Sequence, residues 1–328
     1  MDIALSPTSL GVGAADLADL TVEAETLGYS AAWLAEVAGP EVFALAGAIA
    51  VRTHRMALGV AVVPAATRSP SLLAMGAATV SDLLGGRSFS LGIGASSEVI
   101  VRSWHDQKFH PPLARVEDSV LATRALLQGE RGYTGDTVSI DRFRLAQSAL
   151  GPVTLYLGAL GPAMLRLAGA VGDGVCLNLM TAAAVPLQLD QIRLGAEAAS
   201  RELPAEFGVM ARFHVVVTDD VASGRSMIRA GFSPYFAQPV YNRFLAWMGY
   251  TDEARAIAAA FEQGDRNGVA AAFHDEIVDG IALIGSPDHI RDRLEQYATA
   301  GIGVAALSFH APDSAAVAEA IRLMAPGT

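Results

Sequence analysis

Short apolar runs and helical stripes take turns along this chain of 328 residues. The runs 3–5, 31–35, 56–63, 88–93, 153–157, 174–177, 207–217 and 304–309 have the composition of strands buried on both faces. Between them, apolar residues recur at helical spacing, as Leu17, Leu20, Ala24 and Leu27 do in the first such stretch. Further stripes begin near Pro40, Pro70, Leu113, Pro162, Val185, Asp219, Pro287 and Ser314. Proline suits a first helical turn, where its missing N–H is no loss. Gly28, Gly172 and Gly301 each stand between a helix and the next strand, where a left-handed cap would turn the chain back.

Eight strands alternating with helices predict a parallel sheet with right-handed crossovers, and eight is the number that closes as a (β/α)8 TIM barrel. The expected organisation is one barrel domain over residues 1–328 with two insertions. Near 132–145, Tyr133, Val138 and Ile140 flank a Gly-Asp turn and suggest a hairpin. Residues 231–280 form an irregular helical insertion rich in aromatic residues and proline, such as Phe232, Pro234, Tyr235, Tyr241 and Trp247, suited to a substrate lid or a dimer contact. A doubly wound open sheet is the alternative. Gly11-Val12-Gly13 with Glu36 beyond it imitates a dinucleotide fingerprint, but residues 6–10 separate strand from glycines and the third glycine is missing.

Composition narrows the partners. A chain that is 52% hydrophobic and 17% charged can bury a large core, and its net charge of −11 disfavours nucleic acid. No apolar run reaches a membrane span, and Met1-Asp2-Ile3 lacks the basic region of a secretory signal, so a cytoplasmic protein is expected. Cys176 is the only cysteine, which rules out an internal disulfide, and its apolar neighbours mark a buried structural thiol. The seven histidines form no i, i+4 pair, and no metal is expected.

In a barrel, chemistry sits at the C-terminal ends of the strands. The residues there are Ser6, Glu36, the 60–64 segment, Ala95–Ser97, Gly158–Gly161, Asn178, Thr218 and His310. Gly158, Ala159, Leu160 and Gly161 lead straight into a helix opening at Pro162, with Met164 in its first turn. Backbone N–H groups in such a turn, together with the helix dipole, can hold an anion. A tight βα turn without a ligand explains the same residues equally well. Glu36 is the only acid at a predicted strand end, either a proton donor and acceptor or a surface carboxylate at the next helix. His310 is placed to hydrogen-bond a substrate or cofactor carbonyl, or else to decorate the rim.

Three segments in order carry a family likeness: RSPSLLAMGAATVSDLLGGRSFSLGIGAS over 68–96; Trp104, Phe109, Pro112, Arg115 and Glu117; and YLGALGPAMLRLAGAVGDGVCLN over 156–178. Together they resemble the bacterial luciferase-like superfamily, in its deazaflavin-dependent branch with methylenetetrahydromethanopterin reductase. The resemblance implies a barrel that binds coenzyme F420, or FMN in other branches, with the ring at the C-terminal mouth. It implies a non-proline cis peptide behind the ring, near Val60 and Ala61, and places the ribityl phosphate region against Ala95, Ser96, Ser97 and the Gly158–Gly161 turn. Two departures stand out. Many relatives follow the acid of the second strand with histidine, whereas Val37 follows Glu36, and some carry threonine, glycine and an acid where this chain has Ala95-Ser96-Ser97.

The leading expectation is therefore an F420-dependent oxidoreductase moving a hydride between the deazaflavin and a small, uncharged organic substrate, working as a homodimer. One rival is an FMN-dependent luciferase-like monooxygenase, supplied with reduced flavin by a partner reductase and using oxygen. The other is a non-catalytic barrel that has lost cofactor binding.

Overall fold

A computed structural model describes residues 1–7 and 12–327; Gly11 of the imitated fingerprint lies outside the described residues. The first half runs β1 (Asp2–Leu5), α1 (Ala14–Thr26), β2 (Ala31–Leu34), α2 (Val42–Ala50), β3 (Ala57–Pro64), α3 (Pro70–Leu83) and β4 (Phe89–Gly94). A π-helical turn (Ile100–Trp104), α4 (Pro112–Leu127) and the hairpin strands β5 (Tyr133–Thr134) and β6 (Ser139–Ile140) follow. Then come β7 (Val153–Gly158), α5 (Pro162–Val171), β8 (Gly174–Asn178), α6 (Ala184–Ala198) and β9 (Gly208–Val217). The helical insertion holds α7 (Val221–Phe236), α8 (Pro239–Trp247), α9 (Thr251–Glu262), α10 (Arg266–Ala272) and α11 (Asp275–Ile281). The chain closes with β10 (Ala282–Gly285), α12 (Pro287–Ala300), β11 (Val304–Phe309) and α13 (Ser314–Leu323).

The strands pair in the order β10-β9-β11-β1-β2-β3-β4-β7-β8, and β8 pairs back to β9. Eight parallel strands thus close a ring, and the open-sheet alternative is excluded. These eight are the expected ones. The ninth, β10, departs from the expectation: it is four residues long, follows α11 without a turn, and pairs only with the upper part of β9, His214–Val217. The irregular stretch expected from residue 231 begins inside a helix, since α7 continues through Pro234 to Phe236. Of the three glycines expected in left-handed caps, Gly28 and Gly301 have φ of +95° and +115°. Gly172 is extended instead, at φ −85°. There the need is for space, since a Cβ would stand 2.7 Å from the Ala168 carbonyl oxygen.

Local chemistry starts the helices as the pattern demands. Ser69 and Ser286 cap α3 and α12 by accepting the N–H of Leu72 and His289, each followed by proline at the first helical position. Most of the apolar core lies between ring and helices, while the insertion has a cluster of its own around Phe236, Leu245, Ile257, Phe273 and Ile277.

Inside the ring a separate apolar plug forms from Ala4, Trp33, Cys176, Met210 and Ala306, with Tyr156 and Val62 against it. Alternate strands contribute alternate layers, as a staggered eight-stranded barrel requires. Trp33 and Tyr156 meet edge to face at 5.1 Å, and they fit because their neighbours have no side chains. A Cβ on Gly59 would lie 2.4 Å from the Trp33 ring, and one on Gly174 would lie 2.4 Å from the Tyr156 ring. The buried Cys176 thiol belongs to this plug, and burial pushes its pKa up.

Replacing Gly59 with alanine overfills the lumen and should destabilise the protein by about 2 kcal/mol. Combining Gly59→Ala with Trp33→Leu should recover part of that loss, because the two changes act on one contact. Urea denaturation of the single and double variants measures both, and a Gly59→Ala protein as stable as the parent would refute the packing account.

Candidate active site

Above the plug the lumen turns polar. On β9 the alternation that points Met210 inward also points Arg212 and His214 inward, and on β11 Ala306 is followed by Ser308 and then His310. The stagger of the ring puts Ser6, Ala61, Gly158 and Arg212 at one level, just above the floor. Three inward polar atoms are shielded and have no hydrogen-bond partner: Ser6 Oγ, Trp33 Nε1 and Arg212 Nε. Orphaned donors of this kind mark a place completed by a ligand or by water.

Two histidines and an asparagine form a relay. His214 Nε2 lies 3.1 Å from Asn178 Oδ1, and His214 Nδ1 lies 2.9 Å from His310 Nε2. Burial holds the His214 pKa well below its ordinary value, and the Arg212 charge lowers it further. Burial, again with Arg212 behind it, brings His310 down to about 4. Both rings are therefore neutral near pH 7. With Asn178 Oδ1 accepting from His214 Nε2–H, His214 Nδ1 accepts from His310 Nε2–H, and His310 Nδ1 is left with a lone pair. Burial also lowers Arg212, to about 10, so it remains charged. One Arg212 Nη2–H reaches Ser308 Oγ at 3.3 Å.

The insertion roofs this wall. Phe232 of α7 packs on His214 at 4.3 Å between ring centroids and on His310 at 5.9 Å, and Tyr235 stands 5.8 Å from Phe232. The aromatic group of the insertion thus covers the relay.

The expected cofactor residues divide into three groups. β3 carries a non-proline cis peptide at Ala61–Val62, one bond beyond the expected place, with a register shift against β4 between Val60 and Val63. Ala61 faces the lumen, whereas Val60 turns its side chain outward into the core between strands and helices. The Val62 side chain fills the space left by Gly92, Gly94 and Gly158; a Cβ on Gly158 would stand 3.0 Å from it. Gly158 thus admits Val62 as well as ending the strand. In the turn beyond, Ala159 is buried and donates its N–H to the Cys176 carbonyl oxygen. Leu160 and Met164 pack on the core. Gly161 opens on free space, and α5 starts there without a side-chain cap, so the helix N-terminus is exposed toward an incoming anion. After β4, Ala95 packs on the core, Ser96 is left-handed at φ +60°, and Ser97 Oγ accepts the N–H of Ile100.

Glu36 is occupied elsewhere. Its carboxylate accepts two bonds from Arg68, one of them at 2.7 Å, and the Val42 N–H at 3.2 Å at the start of α2. Arg68 also binds Glu41, the cap of α2. The arrangement is that of a carboxylate anchored at the next helix. Thr218 caps the following turn through Asp220 N. Arg212, His214 and Trp33 are not among the residues the sequence singles out. The signal is nevertheless there in VMARFHVVVT, where Met210, Arg212 and His214 share one face of a strand that must look into the barrel. Among the described residues no cluster of His, Cys, Asp and Glu is arranged to hold a metal ion.

Fold and site define a (β/α)8 barrel with a polar cleft at the C-terminal mouth of its ring. The chain belongs to the luciferase-like monooxygenase family, whose model matches residues 3–303. A Mycobacterium tuberculosis protein provisionally named a coenzyme F420-dependent oxidoreductase is 28% identical over 313 residues, covering 87% of this chain and 88% of its own. The 5,10-methylenetetrahydromethanopterin reductase of Archaeoglobus fulgidus is 28% identical over 292 residues, covering 85% of each chain. The solved structure of the coenzyme F420-dependent tetrahydromethanopterin reductase of Methanopyrus kandleri shares the fold with a TM-score of 0.79 at 22% identity, covering 99% of this chain and 96% of that one.

The depressed His310 pKa has a consequence for stability. Unfolded, His310 titrates near 6.5, and folded near 4, so between these values the unfolded chain binds more protons. Stability should therefore be complete above about pH 6.5 and fall as the pH drops toward 4. Denaturant curves of the parent and of His310→Gln at several pH values check this: the variant should lose less stability across that window.

Proposed function

We propose that this enzyme is a coenzyme F420-dependent oxidoreductase that moves a hydride between the deazaflavin and a small organic substrate. The observation that carries the reading is the pair of orphaned atoms Ser6 Oγ and Trp33 Nε1, in a lumen one of whose walls is the β3 bulge. Shielded polar atoms cost stability unless a ligand or water meets them, so the lumen suits a polar, planar guest. The two sequence relatives, named for F420 and for methanopterin, favour deazaflavin over FMN.

When bound, the deazaflavin supplies the ring carbon that gives or takes the hydride. Ala61 and Val62 would back its ring, and Gly161 with the first turn of α5 would hold the phosphate of its tail. Ala95, Ser96 and Ser97 border the same side of the mouth. His310 Nδ1, at the open end of the relay, is placed to exchange the proton that accompanies a hydride, with His214 and Asn178 fixing its tautomer. Glu36 positions α2 through Arg68 and leaves proton transfer to the histidines. Phe232 and Tyr235 exclude water from above.

Titration of the pure protein with F420 and with FMN decides between coenzymes: tighter FMN binding with oxygen consumption would overturn the proposal. No affinity for either in a folded sample would support the non-catalytic barrel. Gly161→Phe should weaken F420 binding at least tenfold with little change in stability, since nothing stands within 4 Å of the added Cβ. His310→Gln should lower turnover by about a hundredfold or more while the coenzyme Kd stays within twofold. Turnover as fast as the parent's would remove His310 from proton transfer.

A further inference from the structure

We infer that the wall opposite the β3 bulge is a substrate subsite for an anion, a carboxylate or a comparable planar oxyanion, with Arg212 as its anchor. The word substrate rests on the oxidoreductase reading; the preference for negative charge rests on the wall itself. It replaces the uncharged substrate expected from the sequence.

The first support is the charge count of the lumen. Above the Trp33–Tyr156 floor, Arg212 is the only inward-facing residue among the described ring strands with a full charge. Acids near the mouth are paired or face solvent: Glu36 and Glu41 bind Arg68, Glu98 binds Arg102, Asp220 and Asp313 cap helices, and Asp219 is exposed. Burial is the main influence on Arg212, and its charge in turn disfavours protonation of His214 and His310. A partly buried guanidinium with its Nε shielded and no carboxylate beside it is costly, and an anion arriving with the ligand would remove that cost.

Bonding capacity points the same way. Guanidinium has five N–H donors in a planar fork that fits a carboxylate edge. Here Nε is orphaned and one Nη2–H makes a long bond to Ser308 Oγ. Position supplies the third support. β9 lies four strands from β3 in either direction round the ring, so Arg212 faces Ala61 across the lumen, at its level. A ring resting on the bulge would present its free face to Arg212 and the histidines. A substrate held between them would have its charged end on Arg212 and its reacting carbon between the ring and His310. The aromatic roof keeps this space away from bulk water, which strengthens the attraction.

The same cation could serve the oxyanion of the coenzyme's own reduced ring, and the test separates the two sources. Full-length protein loaded with F420 is titrated calorimetrically with benzoate and benzamide, then with hexanoate and hexanamide. The parent should bind each carboxylate at least tenfold more tightly than its amide. Arg212→Met should bring that ratio close to one while the Kd for oxidised and reduced F420 stays within twofold. Arg212→Lys keeps the charge but not the fork and should retain an intermediate ratio; it also serves if the methionine variant fails to fold. Equal binding of carboxylate and amide by the parent would overturn the inference. So would loss of reduced-F420 affinity in Arg212→Met with the carboxylate preference intact. Should F420 not bind at all, the coenzyme reading fails by itself, and the carboxylate-to-amide ratio measured on the coenzyme-free protein decides for or against the anion site.

Discussion

The site depends on how the barrel is filled below it. Two large aromatic rings, Trp33 and Tyr156, occupy a lumen that a ring of eight strands can fill only if other strands yield space. Gly59, Gly174 and Gly208 yield it. The exchange of glycine for aromatic bulk sets the depth of the cleft: whatever enters from the mouth stops at the indole and at Ala306. It also explains why Arg212 can be where it is. One layer lower, its charge would sit inside the plug; one layer higher, solvent and the loops would screen it.

That floor makes the polar layer above it electrostatically simple. With one fixed positive charge and no fixed negative charge, the neighbouring titratable groups respond in one direction. His214 and His310 stay neutral because protonation would add a second charge to a shielded space. A neutral pair keeps one lone pair and one N–H in each ring, so Asn178 and His214 together hold the tautomer that leaves the lone pair on His310 Nδ1. Burial first, and the Arg212 charge after it, thus keep both rings neutral.

Much of this is legible in the sequence. The eight ring strands, the hairpin, the helical insertion and the turn into α5 follow from periodicity and from glycine and proline placement, because those signals are local. The β10 strand is not legible: four residues joined to a helix without punctuation carry no period of their own. The site is half legible. Glycine turns and strand ends announce themselves, but the partner of an acid does not, and Glu36 lies 32 positions from the Arg68 that claims it. Arg212 and His214 are hidden by the strength of the strand around them. In an ordinary buried strand both faces are apolar, so a cation and an imidazole at positions of equal parity are the signal that one face looks into a cavity.

Across the lumen the two halves of the mouth answer to different constraints. On the β3, β4 and β7 side the critical residues are Gly92, Gly94 and Gly158, which matter for lacking side chains and let Val62 of the bulge pack against β4 and β7. On the β8, β9 and β11 side they are Asn178, Arg212, His214 and His310, which matter for side chains held by neighbours on adjacent strands. The first half can change little without losing that close packing, since a carbon added to any of the three meets Val62 or backbone. The second can change by single substitutions that leave the ring's registers untouched. On the proposed reading, selectivity for a second ligand would belong to β9 and the aromatic insertion over it, while the glycines opposite fix the shape of the bulge.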